Sequence, residues 1–272
     1  MSGATTTVTA TGVRRGRTPL RPVRDSLAIA GRNLIAYKRV PQLLVFSTIQ
    51  PVIFVLLFLY VFGGAVQSSL PGIPYVDYLI PGIFVQTTVF GAIATAIGLA
   101  TDLKSGLLER FRSLPMARSA VLVGRTFADL ARNVFVVILM AAVGFAVGFR
   151  VHTNAWAFIA SLILVLLFGY SMSWIFATVG LWVGDPETAQ AAAFPVLAPL
   201  VFASSVFIPV ETMPDWLQPF AEHQPVSVTA SAVRALVIGG PTTSYVLQCL
   251  AWVVGILVVF APIAVWRYRR AV

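Results

Sequence analysis

Six apolar runs, each close to the length a bilayer demands, constrain this chain more than anything else in it. They lie at about 43–63, 79–100, 130–149, 156–180, 189–208 and 246–266. The hydrocarbon core takes about 20 consecutive apolar residues per helix. Backbone N–H and C=O groups find no water there, so runs of this length without period-two alternation predict helices rather than barrel strands. The expected fold is therefore an all-α membrane protein with six transmembrane helices. Composition agrees: 58% of the 272 residues are hydrophobic and 11% charged, against about a quarter charged in an ordinary soluble domain.

The net charge is +9. On a soluble protein such a balance raises nucleic acid as a partner. Here the distribution gives a different account. Seventeen of the 19 Lys and Arg residues fall before the first run, between the second and third, at the foot of the third, or after the sixth; only Arg150 and Arg234 fall on the other side. Cytoplasmic loops carry the excess of Lys and Arg, so both termini are expected in the cytoplasm, as an even span count requires. Arg132, slightly inside the third run, is expected to snorkel back to that surface. No nucleic-acid partner is expected. The segment 1–24, rich in Thr and Arg and without an apolar core, reads as a solvated basic tail rather than a signal peptide. The lone Cys249 lies in an apolar run and reads as a core residue.

Polar residues inside the runs mark candidate positions. Gln50 in "STIQPVIF", and Gln86 and Thr87 in the second run, are polar groups that must face protein or water. They are candidates for a substrate path; helix–helix hydrogen bonding is the plainer account. No acidic or basic residue is expected at mid-span, which argues against an ion-coupled carrier. Gly144 and Gly148 in "GFAVG" have the small-xxx-small spacing of close helix approach.

Two segments between runs are unusual. In "DLKSGLLERFRSLPMARSA" (102–120), Leu103, Leu107, Phe111 and Leu114 share one helical arc, while Ser105, Glu109, Arg112 and Ser113 point away. Asp102 is expected to cap this helix and Pro115 to stop it. The alternative is a solvated loop whose charges only orient the chain. The segment 207–240 is long for a connector and rich in apolar residues, yet its apolar stretch 226–238 is too short to span. It predicts interfacial or re-entrant helices over about 209–240, packed on the outer mouth, with His223 a hydrogen-bonded structural residue. Before the first run, 25–40 has an imperfect amphipathic stripe and predicts a helix on the cytoplasmic surface.

Several chemistries are missing. There is no G-x-x-x-x-G-K-[ST] loop for ATP, no HExxH, no GxSxG and no Cys/His cluster for a metal. Asp185 and Glu187 in "GDPETAQ" read as a turn and helix start rather than an acidic catalytic pair.

The order of these parts resembles the ABC-2 permease family. The carrying residues are "IQPVIFVLLFLYVFGG" (49–64), "ERFRSLPMARSA" (109–120) and "HQPVSVTASAVRAL" (223–236), over about 25–270. The chain is especially similar to actinobacterial export permeases of the daunorubicin/doxorubicin-resistance type. The resemblance implies a multi-pass permease subunit of the bacterial cell membrane, working with a second permease subunit, identical or related, and two copies of a separate ATPase that binds ATP and Mg. It makes 102–115 a coupling helix, with Glu109, Arg110, Arg112, Leu114 and Pro115 at the ATPase contact. It makes 209–240 the outer region that closes the mouth, with Trp216, His223 and Arg234 in it. The cargo implied is amphipathic, drug-like or lipid-like. A non-transporting scaffold or accessory subunit is the alternative function, and a membrane-embedded transferase or protease, for which no reactive cluster is found, the more remote one.

Overall fold

The computed structural model describes residues 41–70, 72–106 and 118–271, and the side chains of 48–70, 72–106 and 122–270. Among the described residues every regular element is helical. Helix α1, Pro41–Leu56, runs on without a break into a π-helical stretch, Leu57–Phe62, and a last turn, Gly63–Gln67. Then come α2 (Tyr75–Lys104), α3 (Arg118–Ala146), α4 (Ala155–Val183) and α5 (Pro186–Phe202). A 3₁₀ turn, Val210–Thr212, and the short α6 (Gln218–His223) lead into α7 (Pro225–Val237) and α8 (Thr242–Ala271).

Local chemistry sets several of these ends. The Asn154 side chain accepts the Ala157 N–H and starts α4, and Gly184 in the left-handed region (φ 73°) stops it. Asp185 then caps α5 with Pro186 in its first turn, as the Asp-Pro pair predicts. Gly148 takes φ 102° and turns the chain at the end of α3. Only Gly144 of the "GFAVG" pair makes a close approach: a Cβ there would lie 2.9 Å from Ile80.

Five helical segments are long and apolar enough to cross a membrane: 48–67, α2, most of α3, α4 and nearly all of α8. The expected fifth run, 189–208, differs. Its helix α5 has 17 residues and ends at Phe202, about 25 Å at 1.5 Å per residue, short of a hydrocarbon core of about 30 Å. Beyond it the chain turns inward instead of continuing.

Helix α2 is the centre of the bundle, packing on α3, α4, α5 and α7. Its closest approach is to α4, where a Cβ on Gly180 would lie 2.3 Å from the Ala96 carbonyl oxygen. The core runs from Leu79, Ile83 and Phe84 on α2 through Phe168 and Phe176 on α4 to Val226 and Val233 on α7. Helices α1 and α8 flank this core, giving it Val55 and Cys249, Val253 and Ile256, while Ile53, Tyr60, Val61, Val254 and Val258 on their other faces are exposed.

Two expectations at the α2 end are corrected. Asp102 does not open a separate helix; residues 102–104 are the last turn of α2, and Ser105 is its C-cap. The third span also begins earlier than 130, because α3 is continuous from Arg118. The remainder of the proposed coupling helix, with Glu109, Arg110, Arg112, Leu114 and Pro115, lies outside the described residues, as do the tail 1–24 and the surface helix 25–40.

Gly180→Ala places a methyl against rigid backbone, and overpacking of this kind costs about 1–3 kcal/mol. Gly255→Ala on α8, where the added carbon meets nothing within 4 Å, should leave stability unchanged or slightly raised. Thermal unfolding of both variants in lipid nanodiscs checks the pair; equal stability would mean that α2 and α4 do not pack this closely.

Candidate functional site

The charges of this molecule are not confined to its ends. On α3, Arg125, Asp129, Arg132 and Asn133 follow helical spacing and face α2. Asp129 is fully buried and accepts from Thr95 Oγ1 at 2.6 Å. Arg125 lies 3.6 Å from Asp129 and 4.0 Å from Asp102, and donates to the Ala94 carbonyl. Arg132, 7% exposed, donates to the Gly91 carbonyl and to Asn133 Oδ1. It does not snorkel to a surface, and the expectation of an uncharged mid-span is overturned by Asp129 and Arg132.

Glycines on α2 make this possible. A Cβ on Gly98 would overlap the Arg125 guanidinium, and one on Gly91 would lie 2.5 Å from Asn133 Oδ1. Gly91 and Gly98 are seven residues apart, as are Arg125 and Arg132. Seven residues are about two helical turns, so antiparallel α2 and α3 fit each guanidinium over a bare stretch of backbone.

A cavity of about 190 Å³ opens beside this row, between α1, α2 and α3. Gln50, Thr87, Arg132 and Asn133 supply its polar lining, and Pro51 and Phe90 part of its apolar wall. Two of its buried polar atoms, Thr87 Oγ1 and Asn133 Nδ2, have no hydrogen-bond partner among the described residues. Of the three sequence candidates for a path, the structure brings Gln50 and Thr87 together here. Gln86 is fully buried elsewhere, with both amide atoms unpartnered.

At the far end of α2 stands Arg234 of α7, 9% exposed. Its Nε donates to the Tyr78 carbonyl at 2.9 Å, and Nη2 to the carbonyls of Ser205 at 2.7 Å and Val206 at 3.0 Å. The guanidinium also lies over the Tyr78 ring, 3.6 Å from its centroid. A second cavity, about 430 Å³, reaches Arg234, Tyr78, Ser205 and Glu211. Trp216 is not among its lining residues and is 79% exposed. His223 bonds the Pro219 carbonyl of its own turn, the structural role expected of it. The structure thus places Arg234 apart from these two. Sequence reasoning missed Asp77, one residue before Tyr78 on α2, which is buried and holds the Arg150 N–H at 2.8 Å and the His152 ring at 2.7 Å. An acid at the start of an apolar run was the available signal.

At the opposite end, Lys104 meets Asp185 at 2.6 Å and ties α2 to the start of α5. The Lys104 hydrogen bond, and then the Thr188 N–H, hold the Asp185 carboxyl down at about 2. Among the described residues no group of three or more His, Cys, Asp or Glu is placed to hold a metal ion.

Residues 25–238 match the family model for the ABC-2 type transporter. This chain belongs to that family. Its relatives include the daunorubicin resistance ABC transporter permease protein DrrB1 of Streptomyces coeruleorubidus, 34% identical over 99% of this chain and 94% of that protein. The probable doxorubicin resistance ABC transporter permease protein DrrC of Mycobacterium tuberculosis is 31% identical over 71% of this chain and 70% of its own length. A putative transport permease, ycf38, of Cyanophora paradoxa is 24% identical over 79% of this chain and 74% of its own. The chain is an ABC-2 permease subunit, an integral membrane protein, and the polar centres described above are features of a transporter component.

Two outcomes are expected of this permease. Arg234→Met leaves the Val206 carbonyl without its donor and takes one of two donors from the Ser205 carbonyl, which keeps the Tyr78 hydroxyl; a buried acceptor so orphaned costs about 1–3 kcal/mol. A large drop in thermal midpoint in nanodiscs is expected, with Arg234→Lys recovering only part of it, because an ammonium cannot reproduce the fork. A neutral result for Met would show that the guanidinium is not what holds these segments. For Asp185 the folded carboxyl is depressed, so its contribution is complete above the ordinary value of 3.8 and is lost as pH falls through about 2. A carboxyl NMR titration should find a midpoint near 2 that moves up in Lys104→Met; an ordinary midpoint in the wild type would refute the pair.

Proposed function

We propose that this chain is the membrane half of an ATP-driven exporter that moves an amphipathic, drug-like or lipid-like molecule out of the cell. The observation that carries this reading is that the likeness to a permease named for daunorubicin resistance runs along nearly the whole chain rather than over one segment. A separate ATPase, in two copies, binds and hydrolyses ATP with Mg, which accounts for a sequence without a P-loop. A second permease subunit and lipid share the exposed apolar faces of α1 and α8.

The helices are placed as follows. Helix α5 is the short fifth of six crossings, completed on the far side by the inward-turned segment and α7. Both termini and the Lys104 end face the cytoplasm, where the basic residues gather. The tail 1–24 lies outside a transmembrane domain of about 25–270. Glu109, Arg110, Arg112, Leu114 and Pro115 form the ATPase contact of a coupling helix. Its entry is anchored where the Lys104–Asp185 pair and the Arg125–Asp102 contact fix the end of α2. ATP binding closes the ATPase dimer, and the permease passes from inward-open to outward-open. Only a difference in affinity between the two states drives that change. Gln50, Gln86 and Thr87 serve the path, and Trp216, His223 and Arg234 the outer gate.

The test uses the full chain with its ATPase in lipid. Glu109→Lys with Arg112→Glu puts like charges across the contact, which costs enough to weaken association about tenfold or more. Co-purification and ATPase stimulation should both fall by that factor, and efflux of an amphipathic fluorescent dye from cells should stop. A scaffold that moves nothing would tolerate the reversal, and unchanged binding and efflux would establish that alternative.

A further inference from the structure

We propose that the cavity between α1, α2 and α3 is a recognition subsite for an acceptor oxygen, the carbonyl, phenolate or carboxylate oxygen, of the molecule this permease carries. The inference rests on the permease reading and adds to it the chemistry of the cargo.

The lining decides the chemistry. Arg132 has donors only, and its Nη2 already serves the Gly91 carbonyl and Asn133 Oδ1. Asn133 uses its oxygen on Arg132, so what it has left is the Nδ2 donor, which has no partner among the described residues. Thr87 Oγ1 is also unpartnered, although its residue is 5% exposed and Asn133 only 3%. A buried hydroxyl or amide without a partner costs about 1–3 kcal/mol. Two such groups on the wall of one cavity, beside a guanidinium, form an array in which donors outnumber acceptors. Gln50 adds an amide of its own and Thr87 Oγ1 keeps its lone pairs, so the array, still richer in donors, is complementary to an oxygen with two lone pairs and disfavours an ammonium.

The site is built rather than accidental. Gly91 is what lets Arg132 and Asn133 lie against α2, since a Cβ there would stand 2.5 Å from the Asn133 oxygen and 3.0 Å from the Arg132 guanidinium. The Arg132 charge does not demand an anion. The row Asp102, Arg125, Asp129, Arg132 balances as two acids and two bases, so a neutral carbonyl suffices and a carboxylate is tolerated. Phe90, Pro51 and Val136 complete the wall, and Pro51 and Phe90 give a ring system a flat apolar surface beside the donors. At about 190 Å³ the cavity admits one edge of a fused-ring molecule. Its other occupant is a small cluster of water, about six molecules at 30 Å³ each.

The probe pair is 1,4-dihydroxyanthraquinone and anthracene, which share a three-ring skeleton and differ in oxygen. Binding is read by fluorescence on the full-length protein in nanodiscs, with empty nanodiscs subtracted. Wild type should prefer the quinone. Thr87→Val keeps the shape and removes an unpartnered hydroxyl. It should leave the thermal midpoint unchanged or raised while weakening the quinone about tenfold and leaving anthracene untouched. Asn133→Ala should do the same to the quinone, and Gly91→Ala, which crowds the row, should abolish the preference. An equal loss for both probes would mean that only shape changed. No preference in the wild type, or no response to Thr87→Val, would assign the cavity to water, and either result overturns the subsite. The assay needs no ATPase, so a permease that couples normally yet shows no oxygen preference sinks the subsite alone.

Discussion

A carbonyl oxygen in an apolar interior must find a donor, and the end of α5 is where this molecule answers that requirement. Helix α5 stops at Phe202, short of a full crossing, and leaves its last carbonyls and those of the turn after it inside the core. Donors from the segment that follows meet them. Gln224 Nε2 reaches the Leu200 and Ala203 carbonyls, and Arg234 reaches those of Ser205 and Val206. Both donors belong to one short helix, Gln224 as the cap of α7 and Arg234 in its last turn. A helix of 13 residues cannot span. It can stand inside a bundle because its own groups complete another helix that also falls short. The same guanidinium takes the Tyr78 carbonyl, so α2, α5 and α7 meet at one cation.

A second constraint acts between α2 and α3. Ionised groups away from water need partners and close packing together. Arg125, Asp129 and Arg132 have both, because α2 presents glycine at the two places where a guanidinium lies. The row is therefore a register device as well as a set of bonds. Sliding α3 by one residue would carry the arginines off the glycines and strand the carboxylate. The cavity lined by Thr87 and Asn133 sits where the row stops matching, its polar atoms facing open space instead of a partner helix.

How much of this was legible in the sequence follows from which partners were local. The apolar runs marked the helices, "GDPETAQ" marked the start of α5, and the length of 226–238 marked α7 as too short to cross. Each of these depends on neighbours within a turn or two. Arg132 was misread because charge alone suggests a surface, and its compensation lies on another helix, in glycines whose meaning appears only when α2 and α3 are docked. The i, i+4, i+7 spacing of Arg125, Asp129 and Arg132 was present and pointed to one face; what that face met was not. Span five was drawn too long for a similar reason. Ser204 and Ser205 are small and are followed by the apolar Val206, Phe207 and Ile208, a stretch able to continue a membrane helix, and only the donors of α7 make leaving it less costly. Gln50 and Thr87 were chosen as polar groups in apolar runs, and they share a cavity. Gln86, chosen on the same ground, does not.

These fixed points decide where the molecule is stiff. Helix α2 is held to α5 at one end by Lys104–Asp185 and at the other through Arg234, and along its length by the close approach to α4 and the charged row of α3. Moving any one of these helices against α2 would break buried hydrogen bonds or separate backbones already in contact, so they shift together or not at all. Helix α1 differs. Its apolar surface is largely uncovered, its later part is π-helical with no buried residue, and its hold on the rest is mainly aromatic, Phe54 and Phe58 stacking on Phe207. An aromatic pair adds about 0.5–1.5 kcal/mol beyond its buried area, less than one hydrogen bond to a charged group, at about 1.5–3 kcal/mol. Displacing α1 thus costs less than displacing any other long helix that walls the Thr87 cavity. Since Gln50 and Pro51 of α1 form one side of that cavity, the least costly motion among the helices that wall it is also the one that opens it.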